Sequence, residues 1–289
     1  MEVHTVGAKM LRLRVADDVN LSETLDGGQA FRWRTQNDGS ICGIVEGNLV
    51  RVVLDRHEMS IERIAASKSA KKLGEPFWRN YFALDIDYRA IEREYSKDPV
   101  LAKSVGFAHG LRVLRQDFFE TLMTFIVTQN NNIPRIKKIV ETMCGLFGEK
   151  IDATGVDGLS MNAFPTLGAF SALAEDDLAP LHAGYRVPYL IATAKSLASD
   201  DRFSQKAFEA LADGDARKRL LEPHGVGPKV ADCVMLFGLG RFGSFPVDVW
   251  IRRAMSELFP NGLPECAKAT AGIAQQYLFS YARATGLGK

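Results

Sequence analysis

The hydrophobic period of this chain changes near residue 75, and that change limits the fold more than any other feature. Before it, apolar and polar residues alternate, as in Leu11–Val15 and Phe31–Arg34. Alternation with period two is typical of strands that bury one face. Turn signals at Asn37–Gly39 and Glu46–Asn48 separate the apolar runs and predict hairpins. The first part of the chain is therefore expected to form an antiparallel sheet with one face in solvent.

After residue 75 the apolar residues recur at helical spacing. Asparagine side chains compete with the backbone ladder, so Asn130–Asn132 should interrupt the run, and Pro134 suits the first turn of the next helix. Helices are predicted over residues 117–128, 134–147, 189–197, 204–211, 215–221, 228–239, 249–258 and 267–284. The fold class is thus α+β, with a sheet domain over residues 1–108 and two mainly helical domains over 109–224 and 225–289, joined by 109–116.

A glycine hairpin, His224–Lys229, separates two of the predicted helices. Gly225 and Gly227 are expected to adopt backbone angles closed to other residues and to let a ligand approach closely. Amides from Val226 to Val230 would then lie at a helix N-terminus, where partial positive charge favours a phosphate oxygen. Such a helix–hairpin–helix grips DNA without reading its sequence. An ordinary turn between helices is the alternative, and the glycines alone do not decide between the two.

Lys229 follows the hairpin on the first turn of an apolar helix, where a solvated lysine would oppose the helix dipole. The same position has a chemical use, because desolvation and the dipole favour the neutral, nucleophilic amine. Nineteen residues later, Asp248 is predicted to cap a helix. If the chain folds back, this carboxylate would lie a few ångströms from the lysine and stabilise positive charge on a sugar.

Composition excludes several classes of protein. No run of eighteen apolar residues occurs, so no membrane span is expected, and the N-terminal residues do not resemble a secretory signal. The net charge of +1 does not exclude nucleic acid, because a local basic face is enough. A reducing compartment is expected, because the cysteines are too scattered for a disulfide framework, a zinc ribbon or an iron–sulfur cluster: Cys42, Cys144, Cys233 and Cys266.

Seven short motifs resemble the 8-oxoguanine DNA glycosylase family of the helix–hairpin–helix (HhH-GPD) superfamily. They lie in the family's order and span nearly the whole chain: Gly27–Trp33, Leu114–Asp117, Gln129–Ile136, Gly184–Arg186, Gly225–Cys233, Pro246–Asp248 and Ala274–Ser280. The resemblance implies an antiparallel sheet of the TATA-binding-protein (TBP-like) type, followed by two helical lobes. It also implies a monomeric, bifunctional enzyme that removes 8-oxoguanine from double-stranded DNA and needs no organic cofactor.

The resemblance also implies roles for the residues of a base pocket. Lys229 would attack the sugar C1′, expel the base and form a Schiff base, from which β-elimination nicks the strand. Asp248 would support the charged sugar. The carbonyl of Gly28 would accept a hydrogen bond from the N7–H that guanine lacks, and such a polar mismatch discriminates better than shape does. Three side chains would enclose the base, Gln275 on its Watson–Crick edge and Phe279 and Cys233 on its faces.

Further roles concern the opposite strand and the hairpin. Asn130, Arg135 and Arg186 would hold the cytosine across from the lesion, and Tyr185 would wedge into the stack that the flipped base leaves. Taken singly, these residues are as well explained as surface charges or a helix break. Backbone carbonyls would hold a monovalent cation or calcium at Leu221, Pro223 and Val226.

One position departs from the family pattern. Trp250 occupies the place where a histidine that contacts phosphate is common in eukaryotic members, so that role is not carried over. The short termini suggest a bacterial or archaeal version, active in the cytoplasm at the nucleoid, whereas a eukaryotic version would be nuclear. Two alternatives stay open: an HhH glycosylase for another damaged purine, such as an alkylated one, and a non-catalytic HhH module that only binds DNA.

Overall fold

The computed structural model describes residues 9–16, 18–153 and 156–287. Most of the N-terminal segment considered for a secretory signal thus lies outside the described residues. Within them, a five-stranded antiparallel sheet precedes a helical body, which confirms the α+β class. The strands, in the spatial order β1-β5-β4-β3-β2, are β1 Lys9–Arg14, β2 Trp33–Thr35, β3 Ile41–Val45, β4 Asn48–Asp55 and β5 Glu58–Ala66.

The hairpin between β3 and β4 follows directly from two residues. Val45 pairs with Asn48, so Glu46 and Gly47 alone form the turn, with φ of 48° and 75°. Two positive φ angles give the type I′ turn, whose twist matches that of the flanking strands. The turn predicted at Glu46–Asn48 is therefore confirmed.

The two faces of the sheet differ in their cover. One face packs against the helix that follows the sheet, where Val52 and Met59 lie in a cluster with Trp78 and Phe82. On the other face Met10, Val53 and Ile64 are exposed. The expected single solvated face is wrong at β3, however, because Ile44 and neighbouring Leu49 pack in a cluster with Ile151, Val156 and Met161.

The helical body surrounds one large apolar core. Its helices, with α1 lying before β2, are α1 Leu21–Asp26, α2 Glu75–Tyr81, α3 Tyr88–Tyr95, α4 Pro99–Phe107, α5 Phe118–Val127, α6 Ile133–Phe147, α7 Leu167–Ser171, α8 Val187–Ser199, α9 Gln205–Glu209, α10 Asp213–Leu220, α11 Pro228–Cys233, α12 Val249–Leu258, α13 Glu265–Lys268 and α14 Ala271–Thr285. None of the helices in the described ranges has both the length and the apolar character that a bilayer crossing needs. The domain limits of 1–108, 109–224 and 225–289 stay a prediction.

Three local predictions need correction. Residues 267–284 form two helices, because Thr270 leaves the helical conformation and its carbonyl accepts the hydroxyl of Tyr95 at 2.8 Å. The predicted helix 228–239 begins as expected, but Val234–Gly238 form a π-helical turn, a feature that often marks a functional site. Phe31 precedes β2 and packs edge-to-face on Phe125 of α5 instead of joining the sheet.

Candidate active site

A cavity of about 610 Å³ lies where the residue-28 loop, the end of α5, α11, the start of α12 and α14 meet. This volume falls in the range typical of small-ligand sites. The six residues predicted for chemistry and base binding all line it: Gly28, Lys229, Cys233, Asp248, Gln275 and Phe279. Sequence positions up to 251 residues apart thus meet at one concave surface, which we call the lesion pocket.

Lys229 lies half-buried in the first turn of α11. Its Nζ donates a hydrogen bond of 2.9 Å to Oγ1 of Thr128, which is the C-cap of α5. The same nitrogen lies 4.9 Å from the ring centroid of Phe125, which stacks on Phe237. The position of the amine in the lesion pocket is therefore set by the hydroxyl of Thr128 and the ring of Phe125.

Asp248 is the N-cap of α12, as predicted. Its Oδ1 accepts the N–H of Ile251 at 2.8 Å, and its backbone is extended, with φ of −91° and ψ of −171°. The capping bond fixes the side chain at the start of the helix. Because the residue also lines the lesion pocket, the carboxylate can act on a bound sugar while it caps the helix.

The two hairpin glycines have different reasons to be glycine. Gly225 has a φ of +99°, and a Cβ there would lie 2.3 Å from Cβ of Tyr189. Gly227 has a φ of −87° and open space where its Cβ would be, so the expectation of a forbidden backbone angle is wrong for this residue. The open space beside Gly227 leaves room for a ligand to approach the backbone.

The N-terminus of α11 offers fewer amides than the sequence predicted. The N–H of Val226 donates to the carbonyl of Pro223 at 3.2 Å, so this amide is used within the turn. Gly227 provides no side-chain cap and Pro228 has no N–H. The amides of Lys229 and Val230 therefore have no acceptor within the helix and point to its N-terminal end.

The ion predicted at this hairpin would be held without side-chain ligands. Among the described residues, no group of three or more His, Cys, Asp or Glu side chains is placed to hold a metal ion. The carbonyl site at Leu221, Pro223 and Val226 would use backbone atoms only, and the carbonyl of Pro223 already accepts one N–H. The ion stays a prediction.

The base-binding part of the lesion pocket is buried and ordered by internal contacts. Gly28 has a φ of +93°, and a Cβ there would press at 3.3 Å on Ile133 and on Phe279. Cys233 is buried, which raises the pKa of its thiol to about 11, so it is neutral at pH 7. Oε1 of Gln275, itself only 4% exposed, accepts the side-chain amide of Gln276 at 2.6 Å. That bond fixes the side-chain oxygen of Gln275.

A second group of predicted residues forms what we call the asparagine face: Asn130, Arg135, Tyr185 and Arg186. Arg186 is only 2% exposed, and its guanidinium donates to the carbonyls of Ala183, Gln129 and Asn130, the last at 2.9 Å. It also lies 4.4 Å from the ring centroid of Tyr185. In this structure Arg186 holds the turn at Asn130, which has a φ of 46°.

The other members of the asparagine face lie in solvent. Tyr185 is 49% exposed, and its hydroxyl donates to the carbonyl of Gln129 at 3.2 Å. Arg135 is exposed on α6 and donates to the carbonyl of His182 at 3.0 Å. Exposed aromatic and cationic groups at one rim suit contact with a second large molecule.

Several pocket residues carried no strong sequence signal. Thr128 holds the lysine, Gln276 orients Gln275, and Gln129 donates to the carbonyl of Gly225 at 3.0 Å, joining the asparagine face to the hairpin. Arg283 lies 5.5 Å from the ring centroid of Phe279 at the pocket mouth. Trp250 and Arg252 also line the pocket. For Gln129 and Gln276 the only available signal was their place inside the family-like motifs.

Comparisons with known proteins identify the family of the chain. Residues 11–122 match the family model described as 8-oxoguanine DNA glycosylase, N-terminal domain, and residues 123–273 match the HhH-GPD superfamily base excision DNA repair protein. The chain is 32% identical over 253 residues to an N-glycosylase/DNA lyase of Saccharomyces cerevisiae; the match covers 81% of this chain and 66% of the yeast protein.

Solved structures extend the comparison over the full length. The fold matches a Clostridium acetobutylicum 8-oxoguanine glycosylase/lyase, solved with double-stranded DNA containing cytosine opposite 8-oxoguanine, with a TM-score of 0.83. That match has 34% identity and covers 99% of this chain and 100% of the other. A 3-methyladenine DNA-glycosylase from Archaeoglobus fulgidus shares only the fold, with a TM-score of 0.68 and 19% identity.

Proposed function

This chain belongs to the 8-oxoguanine glycosylase/lyase family of the HhH-GPD base excision repair proteins, and we propose that it excises 8-oxoguanine through a covalent Schiff base at Lys229. The observation that carries the proposal is the convergence of Lys229, Asp248 and Gly28 on one cavity. From the proposed DNA substrate we infer that the protein acts at the nucleoid of a prokaryote or in the nucleus of a eukaryote.

The proposed reaction begins with the neutral amine of Lys229. Its nitrogen bonds to C1′ while the C1′–N9 bond breaks, and the base leaves with the electron pair and takes up a proton. Asp248 stabilises the positive charge that develops on the sugar. Loss of a proton from the amine and opening of the sugar ring give a Schiff base. Removal of a C2′ proton then breaks the C3′–O3′ bond and nicks the strand.

Base selection rests on the buried part of the lesion pocket. In the proposed complex the carbonyl of Gly28 accepts the N7–H of 8-oxoguanine, whereas guanine would present an acceptor to an acceptor. Gln275 binds the Watson–Crick edge, and Phe279 and Cys233 enclose the ring. A neutral thiol suits this role, because it packs on a ring face without adding a charge.

The asparagine face and the hairpin would hold the DNA around the flipped base. Asn130, Arg135 and Arg186 would bind the unpaired cytosine, and Tyr185 would fill the gap in the stack, which offsets part of the cost of flipping. The amides of Lys229 and Val230, with the open space at Gly227, would receive a phosphate. These contacts predict preference for cytosine over adenine opposite the lesion.

The two alternative functions make different demands on the same residues. A glycosylase for an alkylated purine has no use for an acceptor at Gly28 that selects an added N–H, and the likeness to the 3-methyladenine enzyme is limited to the fold. A non-catalytic DNA-binding module has no use for Lys229 inside a cavity. The single-turnover rate of base release from matched duplexes separates the three.

The test uses duplexes with 8-oxoguanine, 3-methyladenine or guanine opposite cytosine, and 8-oxoguanine opposite adenine. We expect release of 8-oxoguanine alone, faster opposite cytosine by about tenfold or more. Faster release of the alkylated base would favour the first alternative, and no release with tight binding would favour the second. Equal rates of 8-oxoguanine release opposite cytosine and opposite adenine would contradict the roles of Arg135 and Arg186.

A further inference from the structure

The loop that carries Gly28 has no regular structure of its own. Residues 27–32 lie between α1 and β2 and belong to neither, and Gly28 has a φ of +93°. Glycine gives the backbone its greatest freedom, so neighbouring groups must set the direction of this carbonyl. Direction matters, because a hydrogen bond weakens steeply when its angle departs from linear.

In Gln29, the next residue, both polar atoms of the side chain are hydrogen-bonded. Gln29 is 1% exposed. Its Nε2 donates to the carbonyls of Thr24 at 2.8 Å and Arg112 at 2.7 Å, and its Oε1 accepts the N–H of Leu114 at 2.8 Å. A buried side-chain amide with both hydrogens and its oxygen bonded holds its own backbone firmly.

Gln116 fixes the backbone of Gln29 and connects it to the lysine helix. Its Nε2 donates to the carbonyl of Gln29 at 2.7 Å, while its own N–H donates to the carbonyl of Phe237 at 2.7 Å. Phe237 lies in the π-helical turn that continues α11 and lines the lesion pocket. One residue therefore joins the Gly28 loop through its side chain and the lysine helix through its main chain.

We propose that Gln29 and Gln116 are positioning residues that set the discrimination between 8-oxoguanine and guanine by fixing the Gly28 carbonyl. This rests on the proposed function, in which that carbonyl reads the N7–H. The frame extends through α5, which Asp117 caps at one end and whose C-cap, Thr128, binds Lys229 at the other. The atom that reads the base and the atom that attacks the sugar are thus held by one set of contacts.

The test substitutes Gln116→Leu, which removes the bond to the loop and keeps the main-chain bond to Phe237. Affinity for 8-oxoguanine·C and guanine·C duplexes is measured in the Lys229→Gln background, where no excision interferes. The matched control is Gln36→Leu, which removes a glutamine bond to the carbonyl of Arg34 in the sheet domain. We expect the affinity ratio to fall about tenfold in the Gln116 variant and to hold in the control.

A second measurement separates positioning from loss of structure. With Lys229 present, Gln116→Leu should slow release of 8-oxoguanine but leave cleavage of a preformed abasic site, which has no base to read, at the parental rate. Gln116→Glu keeps the side-chain size but replaces the donor with an acceptor, so it should also slow base release and keep abasic-site cleavage. It replaces the leucine variant in the test if that variant folds poorly.

Three outcomes decide the matter. An unchanged affinity ratio in folded Gln116 variants overturns the proposal, even if their melting temperature falls. Equal losses of base release and abasic-site cleavage also overturn it, because the defect then lies at the lysine. If the Lys229→Gln parent itself prefers neither duplex, the proposed function has failed, and the role of Gln116 fails with it.

Discussion

The lesion pocket and the asparagine face both consist of residues that resemble one enzyme family, yet they are built in opposite ways. In the pocket, Gln275 and Cys233 are buried and Lys229 donates a hydrogen bond to Thr128. On the asparagine face, Tyr185 and Arg135 lie in solvent. The difference teaches that the residues proposed to read the base are fixed by contacts within the protein, whereas Tyr185 and Arg135, proposed to contact the opposite strand, lie at exposed positions.

Arg186 is the exception that makes the comparison informative. It belongs to the asparagine face by its predicted role but is 2% exposed and bound to backbone carbonyls. Burial lowers the pKa of its guanidinium from the usual value, although an arginine stays charged at neutral pH. Arg186 therefore supports the backbone at Asn130, an exposed residue of the asparagine face, through its hydrogen bonds to the carbonyls.

The largest expected effect tests whether Asp248 acts in the pocket beyond its capping bond. Asp248→Ser keeps a capping oxygen and removes the charge, whereas Asp248→Ala removes both. We expect both variants to slow single-turnover base release by about 100- to 1000-fold. Only the alanine variant should lose about 1 kcal/mol of unfolding free energy, measured in urea.

If the serine variant keeps the parental rate, the aspartate acts only as a cap. Lys229 alone would then carry the proposed chemistry of the lesion pocket, and the lesion pocket would differ less from the asparagine face.

The next effect tests the exception on the asparagine face. Arg186→Met would leave the carbonyls of Gln129 and Asn130 without their buried donor, so we expect a loss of about 2–3 kcal/mol in unfolding free energy. Arg135→Met, at an exposed position, should change it by less than about 0.5 kcal/mol. Both should reduce the preference for cytosine opposite the lesion, measured as a ratio of excision rates.

Equal stability in the two arginine variants would contradict the description of Arg186 as a buried support. If both variants kept the parental ratio of excision rates, the asparagine face would have no role in recognising the opposite base.

A smaller effect distinguishes the two hairpin glycines. Gly225→Ala introduces a methyl group 2.3 Å from Cβ of Tyr189 at a φ of +99°, and should cost about 1–3 kcal/mol of stability. Gly227→Ala meets nothing within 4 Å, so its stability should stay within about 0.5 kcal/mol of the parent. Its affinity for duplex DNA should nevertheless fall, because the methyl group occupies the space that a phosphate would enter.

Urea unfolding and a DNA titration of both variants provide the check. A destabilised Gly227→Ala would contradict the prediction that its methyl group meets no neighbour. Parental DNA affinity in that variant would show that the open space is not a ligand site.

Sequence patterns predicted the features that depend on near neighbours. The Glu46–Gly47 turn, the Asp248 cap and the break at Asn130–Asn132 each follow from a few adjacent residues. Lys229 and Asp248 were proposed from the hairpin and the helix start, whereas the base-binding residues of the lesion pocket came from the resemblance, because no period places Gly28 beside Phe279.

The features that were missed depend on contacts between distant residues. Thr128 and Lys229 are 101 positions apart, and Gln29 and Gln116 are 87 apart. The cover over β3 and the split at Thr270 arise in the same way, from segments far along the chain. Such contacts leave no periodic trace, so composition and spacing do not indicate them.

Borohydride trapping tests the central claim, that Lys229 is the nucleophile, most directly. The protein is incubated with an 8-oxoguanine·C duplex and borohydride, and the adduct is mapped by mass spectrometry, beside Lys229→Gln and, as a control, Lys195→Gln at an exposed position of α8. We predict an adduct on Lys229 in the parent and in the Lys195 variant, and none in Lys229→Gln. An adduct on another residue, or base release at the parental rate in Lys229→Gln, would contradict the account.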